Sequence, residues 1–437
     1  MKQELKFKEM EIGNIPKDWE VDALGNHTKI IKGISYRSKD YCSEDEGFIF
    51  INLKCIARNG GFRKDGIKYY KGELKKEQFV NAGDIVIANT DLTQNREIIG
   101  SPLKIPELKN DRKMCISLDL SKLDVTSKKL DGNFLYYYLM SPRARNFMIA
   151  NGNGTTVVHL STKNVPNMVI PLPGIEEQKR IAKILSDLDK KIEINNNLSY
   201  NLEKSAELLF KQWFIDFEFP NEKGEPYKSS GGAMVNSEFG EIPKDWRVVK
   251  LKELVYHSKE SINPSANPNT IYDHYSIPAY DLNKVPIRQT GNLILSNKFV
   301  VKNNSILISK LNPRVPRVWA IVKKNNNPAI CSTEFQVIIP KNEEEYGFVH
   351  SLVVSDYFKQ RMINQVTGTS SSHQRVRPKD ILNVNVLLPV GAILKKFSLI
   401  INPILIKINS NIVNNLLSEG SKRILISKLI NGQIRTK

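Results

Sequence analysis

Hydrophobic positions along this chain follow two rhythms, and the rhythms alternate. Between about residues 19 and 171, short β-rich apolar runs are broken by turn residues: 47–53 (GFIFINL), 84–88 (DIVIA) and 167–172 (NMVIPL) predict strands, with turns at Asn59-Gly60-Gly61 and Ala82-Gly83-Asp84. One helix is predicted among them, over 133–149, where Leu135, Tyr138, Leu139 and Phe147 share a face. From 175 to 214 the period changes. Ile181, Leu185, Leu188, Ile192, Asn195, Ser199, Leu202, Ala206, Leu209 and Trp213 step alternately by four and three, the heptad spacing that keeps one seam against a partner helix. The plan then recurs, with strands predicted over 304–309, 318–322 and 335–339 and a helix over 346–365. Adding 216 to the seam positions gives Phe397, Ile401, Ile404, Ile408, Asn411, Asn415, Ser418, Lys422, Leu425 and Leu429, a second seam. Asn402-Pro403 predicts a start or a kink in this second helix, because proline lacks the amide hydrogen and clashes with the preceding turn.

The repetition extends to motifs. Gly13-Asn14-Ile15-Pro16-Lys17-Asp18-Trp19 returns as Gly240-Glu241-Ile242-Pro243-Lys244-Asp245-Trp246. Gly154-Thr155-Thr156 with His159 returns as Gly368-Thr369-Ser370 with His373, and Leu172-Pro173 as Leu388-Pro389. Such a period far exceeds the roughly 20–50 residues of a solenoid repeat, so each copy is expected to fold as a module. The predicted fold class is α+β: two similar mixed α/β domains separated by two long α-helices that form an antiparallel coiled coil. The boundaries read as a first domain over 1–173, a central helical spacer over 174–216 and an exposed linker over 217–239. A second domain follows over 240–389 and a C-terminal spacer over 390–437. Asn195 and Asn411 occupy the same slot in the two seams. A polar residue there is best known for setting register, so the two are expected either to pair across the coil or to lie on its solvated edges.

Composition then suggests a partner. Lys and Arg total 64 against 46 acidic residues, a net +18 that suits a polyanion. Two helices of about 40 residues would form a strut of roughly 60 Å, so modules at its ends would grip two parts of one DNA duplex across an unread gap. Internal twofold symmetry would offer a partner protein two similar surfaces. No apolar run approaches the roughly 18 residues of a membrane span and the start is charged, so a cytoplasmic protein is expected. The four cysteines show no CxxC spacing and the six histidines no HExxH, which predicts reduced thiols and no metal site.

Duplex recognition needs cations for phosphates and Arg, Lys, Asn or Gln for base edges. In the first module the candidates are Arg37 and Lys39, Arg63 and Lys64, and the run Thr93, Gln94, Asn95 and Arg96. In the second they are Lys310, Arg314 and Arg317, followed by Ser371, His373, Gln374, Arg375 and Arg377. Any one of these loops taken alone reads more readily as a solvated polar loop; their recurrence in a duplicated frame shifts the balance toward a nucleic-acid surface. His159 and His373 read as turn or strand residues, and Tyr136-Tyr137-Tyr138 as helix packing. No reactive centre is apparent: no Asn-Pro pair continues into Pro-aromatic, there is no GxxxxGK[ST] loop, and Glu176 and Glu177 read as acids at a helix N-terminus. No catalytic residue is expected.

Several segments resemble one family. They are Ile15-Pro16-Lys17-Asp18-Trp19, Leu172-Pro173 running into Ile175-Glu176-Glu177-Gln178-Lys179-Arg180-Ile181, 185–192 (LSDLDKKI), and 214–220 (FIDFEFP) with the 227–232 linker. Together they are similar to the specificity subunit of type I restriction-modification systems, over essentially the whole chain. The resemblance implies two target recognition domains, each reading half of a bipartite double-stranded DNA site, on two helical spacers. It further implies docking of two modification (methyltransferase) subunits carrying S-adenosylmethionine, and of restriction (endonuclease/translocase) subunits using ATP and Mg, with no cofactor on this chain. The second spacer departs from the pattern, with Gly391-Ala392-Ile393-Leu394 where the first has Ile175-Glu176-Glu177-Gln178. The competing expectation is a stand-alone two-domain DNA-binding regulator.

Overall fold

Alternating side chains of one central strand show how each half of the chain builds its core. In the computed structural model, which describes residues 7–10, 13–58, 60–108, 112–322, 326–366 and 374–436, the chain divides into two compact units. The first comprises Met1–Lys191 with Ser418–Lys437, the second Ile192–Leu417. In the first, strand Ile85–Ala88 sits inside a four-stranded antiparallel sheet ordered Pro102–Lys104, Ile85–Ala88, Leu120–Val125, Thr28–Lys32. Ile85 and Ile87 pack with the helices, whereas Val86 and Ala88 pack with Ile49, Ile51 and Ile116 of a second sheet. A period of two thus places one apolar run in two core layers. The second sheet is mixed, with Phe48–Ile51 running parallel to Met114–Ile116.

The second unit repeats the strand order of the antiparallel sheet and the core of the mixed one, which has five strands there against four in the first unit. Its four-stranded sheet is ordered Val318–Ala320, Ile306–Ser309, Phe335–Pro340, Val255–Ser258, and its mixed sheet contains the parallel pair Ile271–Tyr275 and Ala329–Cys331. The alternation recurs, with Ile306 and Ile308 in one cluster and Leu307 in the other. The internal repeat therefore reflects two copies of one topology.

Two helices expected to be single are each broken. The first divides into Gly132–Leu139 and Pro142–Ala150, the second into Tyr346–Val354 and Asp356–Asn364. In both the break is a serine cap: Ser141 accepts from the amide of Ala144, and Ser355 from that of Phe358. Capping by serine, with Pro142 in the first turn, overrides an apolar period that runs on unchanged. Tyr136, Tyr137 and Tyr138 are all buried, so the triplet is packing.

The long helices are Ile175–Phe214 and Gly391–Ile430, 40 residues each. Every seam position named above is buried or half-buried. Within the first unit their segments run antiparallel, Ile181 and Leu185 packing with Ile426 and Leu429 while Lys422 bonds Asp189. Within the second unit they do so again, Trp213 and Phe214 meeting Phe397. Asn195 and Asn411 do meet across the coil, Asn411 donating to the Asn195 backbone carbonyl at 3.4 Å, but their side chains do not pair with each other. Asn195 donates to Asn415 Oδ1 at 2.8 Å, while Asn411 donates to Ser199 Oγ at 3.1 Å. The repeat makes Asn415 the counterpart of Ser199, so the antiparallel register matches each slot with the counterpart of the residue one turn further on. Pro403 neither starts nor ends its helix. Leu399, whose carbonyl loses its donor, is exposed, so water can satisfy it.

The chain after each long helix returns to its unit's Ile-Pro-Lys-Asp-Trp motif, by different chemistry. In the first unit Arg435 lies 5.6 Å over the Trp19 ring, bonds Glu177 at 2.6 and 2.9 Å and Asp18 at 2.9 and 2.7 Å, while the indole N–H donates to Glu177. In the second unit the residue 216 positions before Arg435 is Phe219, stacked on Trp246 at 5.2 Å. Glu177 has Ile393 as its counterpart, and the Trp246 indole N–H has no acceptor among the described residues. The departure noted at 391–394 is thus half of a coupled exchange, an ionic latch in one unit and an aromatic one in the other. Phe217 and Phe219 are buried, so the stretch expected as an exposed linker is partly core.

The ionic latch carries a pH dependence. Hydrogen bonding from Arg435 holds the Asp18 carboxyl below its ordinary 3.8. A depressed folded-state pKa adds stability above the unfolded value and loses it as pH falls through the folded value. The stability advantage of the wild type over an Arg435→Met chain is therefore expected to shrink below about pH 4. Thermal unfolding of both chains across that range measures it, and a constant advantage would refute the assignment.

Candidate nucleic-acid interface

Strand direction collects the candidate loops at one edge of each antiparallel sheet. Thr28–Lys32 and Ile85–Ala88 both run antiparallel to Leu120–Val125, so the chain leaves both strands at the edge where it enters the third. Backbone bonds from Leu118 to Ile34 and from Asn89 to Asp119 tie the loops together there. Arg58 pairs with Glu97 at 3.2 Å, which brings the 57–64 loop to the 91–97 loop. The second unit has the same edge: Lys310 donates its amide to Glu334, Val376 to Lys310, and Asn312 to Gln374. The bridge Leu311↔Arg375 corresponds to the pairing of Thr90 with His159, so the counterpart of His159 is Arg375, 216 residues on, rather than His373.

The candidates divide by where their side chains go. Arg37, Lys39, Lys64, Gln94, Asn95 and Arg314 are exposed. Arg63 is exposed but paired with Asp65, and Arg377 likewise with Asp380; such surface pairs are weak enough to exchange for phosphate. Arg375 bonds Glu334 through two nitrogens at 3.1 Å each. Lys310 and Gln374 are half-buried. Two arginines turn inward. Arg96, with φ +54°, donates to the carbonyls of Ile149, Gly152 and Gly154, and Arg317 makes two bonds to Asp281 with its side chain 13% exposed. Both hold loops in place. Ser371 and His373 lie outside the described residues. His159 is exposed on strand Val158–Leu160.

Asp91 is the residue that sequence reasoning passed over. Fully buried, it accepts the amides of Thr93, Ile98 and Ile99 at 2.6, 2.6 and 2.7 Å. Burial pushes its carboxyl up, but these amides and the Thr93 hydroxyl hold it below the ordinary value. Arg145, also buried, donates to the carbonyls of Ile99 and Glu97. Burial lowers its pKa to about 10 against the opposing pull of Asp91, which leaves it charged at neutral pH. The Asp-x-Thr spacing is an Asx-turn signal; the Arg145 contact, over forty residues away in sequence, has none.

This edge of polar loops on a doubled frame agrees with what comparison finds. The family model for the type I restriction modification DNA specificity domain matches residues 16–204 and again 243–416. The chain belongs to this family. Each specificity domain match takes in one mixed α/β fold and most of one long helix. Among relatives, the type I restriction enzyme MjaVIII specificity subunit of Methanocaldococcus jannaschii is 28% identical, covering 100% of this chain and 97% of its own length. The MjaIX specificity subunit of the same organism is 25% identical over 99% and 98%. The solved S subunit of a type I restriction-modification system from M. genitalium has a TM-score of 0.59 at 15% identity, covering 94% of this chain and 96% of that one, a likeness of fold. No helix among the described residues is long and apolar enough to cross a membrane.

Proposed function

We propose that the chain is the DNA-recognition subunit of a type I restriction-modification complex. It reads a bipartite target, one half with each specificity domain, and directs adenine methylation and cleavage by its partners. The observation that supports this most is the duplicated specificity domain, each copy presenting exposed amide or guanidinium side chains at the same sheet edge. The chain itself has no catalytic role in this reading. Two modification subunits carrying S-adenosylmethionine and restriction subunits using ATP and Mg supply the chemistry, in the cytoplasm.

Gel-shift selection from random duplexes, with and without co-expressed modification subunits, tests the proposal. The expected result is a two-part consensus with a fixed gap, bound more tightly with the partner present and methylated at adenine when S-adenosylmethionine is added. Sequence-specific binding that is indifferent to the partner and leaves adenines unmodified would instead describe a stand-alone regulator.

A further inference from the structure

The loop between strands Ile85–Ala88 and Pro102–Lys104 is held stiffly from below and left bare at its tip. Asp91 fixes three of its amides, Thr93 Oγ1 accepts from the Glu97 amide at 2.9 Å, and Arg96 and Arg145 are bonded to carbonyls. Leu92, Gln94 and Asn95 at the tip face solvent, Leu92 at 67% exposure, and neither amide side chain has a partner among the described residues. Other polar side chains beside it are engaged: Asn89 donates to the Leu118 carbonyl, Thr90 to Asp119, and Arg58 pairs with Glu97. A rigid backbone with two adjacent free amides and an exposed leucine is an unusual surface. Its ordering entropy is met in the unbound protein, so contacts made there count fully toward discrimination.

An amide side chain offers one donor and one acceptor side by side. Adenine shows the complementary pair, N6–H₂ and N7, in the major groove, and the thymine opposite shows a methyl group suited to leucine. Guanine shows two acceptors and calls for arginine or lysine instead. The counterpart loop of the second unit, 310–317, bears Arg314 at its exposed part and no exposed amide pair, so the feature belongs to one half of the chain. Resting on the DNA-recognition reading above, we infer that Gln94 and Asn95 read adenine in A·T pairs of the half-site bound by the first specificity domain. Leu92 contacts the thymine methyl, and Asp91 is the positioning residue that holds the tip.

The test is duplex selection by the full chain co-purified with its modification subunits, comparing wild type with Gln94→Ala/Asn95→Ala and with Asp91→Asn. The double variant is expected to lose about 5- to 150-fold discrimination at one or two adjacent A·T positions in one half, the usual worth of a bidentate amide–adenine pair. The other half should be unchanged. Asp91→Asn, checked for folding by thermal unfolding, is expected to blur those same positions and no others, which a general loss of stability would not do. Replacing adenine by 7-deazaadenine there should weaken the wild type and leave the double variant indifferent. A double variant that keeps the wild-type consensus overturns the inference, as does one that weakens all sequences equally. If the wild type selects no bipartite consensus, the DNA-recognition reading falls and takes this inference with it.

Discussion

Replacing Arg435 with methionine is expected to destabilise the first unit by about 2–3 kcal/mol, at or just below the lower bound for breaking a buried ion pair because the guanidinium is partly exposed. Most of that effect lies with its partner: the Glu177 side chain is 8% exposed and would keep only the Trp19 indole N–H as a donor. The second unit supplies the repair. Glu177→Ile with Arg435→Phe installs the counterparts Ile393, which packs against the cluster holding Trp246, and Phe219, which stacks on that tryptophan, and is expected to recover more than half of the loss while removing its salt dependence. Urea unfolding of the single and double variants at low and high salt measures this. A double variant no more stable than Arg435→Met would show that the two latches are not interchangeable.

The two latches bear on how much of this molecule could be read in advance. The heptad seams were fully legible, because burial of an apolar stripe is what fixes a helix's facing, and each seam residue is indeed covered. Their register was not. A seven-residue period is satisfied by any slip of a heptad, and cross-helix contacts such as those of Asn195 and Asn411 show which alignment the chain takes. The helix breaks at Ser141 and Ser355 were written in the caps but masked by continuous apolar spacing.

At the interface, exposure of the loops was legible from their polarity, while the direction of each side chain was not. Arg96 and Gln94 look alike as polar loop residues. They part company because Gly152 and Gly154, far along the chain, offer carbonyls to one of them. Arg317 turns inward for the same reason, meeting Asp281 from an earlier helix. Distant acceptors decide which polar residues are structural, and a single sequence does not align them.

Phe214→Ala is expected to destabilise the second unit by about 3–5 kcal/mol, the usual result of emptying a buried aromatic site. Phe214 is 3% exposed, with ring centroids of Phe397, Phe348 and Trp246 at 4.7, 4.9 and 5.8 Å. It sits where the first long helix, the Tyr346–Val354 helix and the 240–246 motif meet, so its loss loosens all three. Rigid rings on several sides resist collapse into the space, which places the change at the upper end of that range. Its counterpart in the first unit is Ile430, part of a separate cluster, so the two cores should respond independently. Hydrogen exchange resolved by peptide is expected to show lost protection over 346–364 and unchanged protection over 132–150. With modification subunits bound, the variant should hold one half of the DNA consensus and lose preference in the other. Equal loss of protection in both peptides, or a consensus weakened evenly across both halves, would show instead that the two specificity domains share one cooperative core.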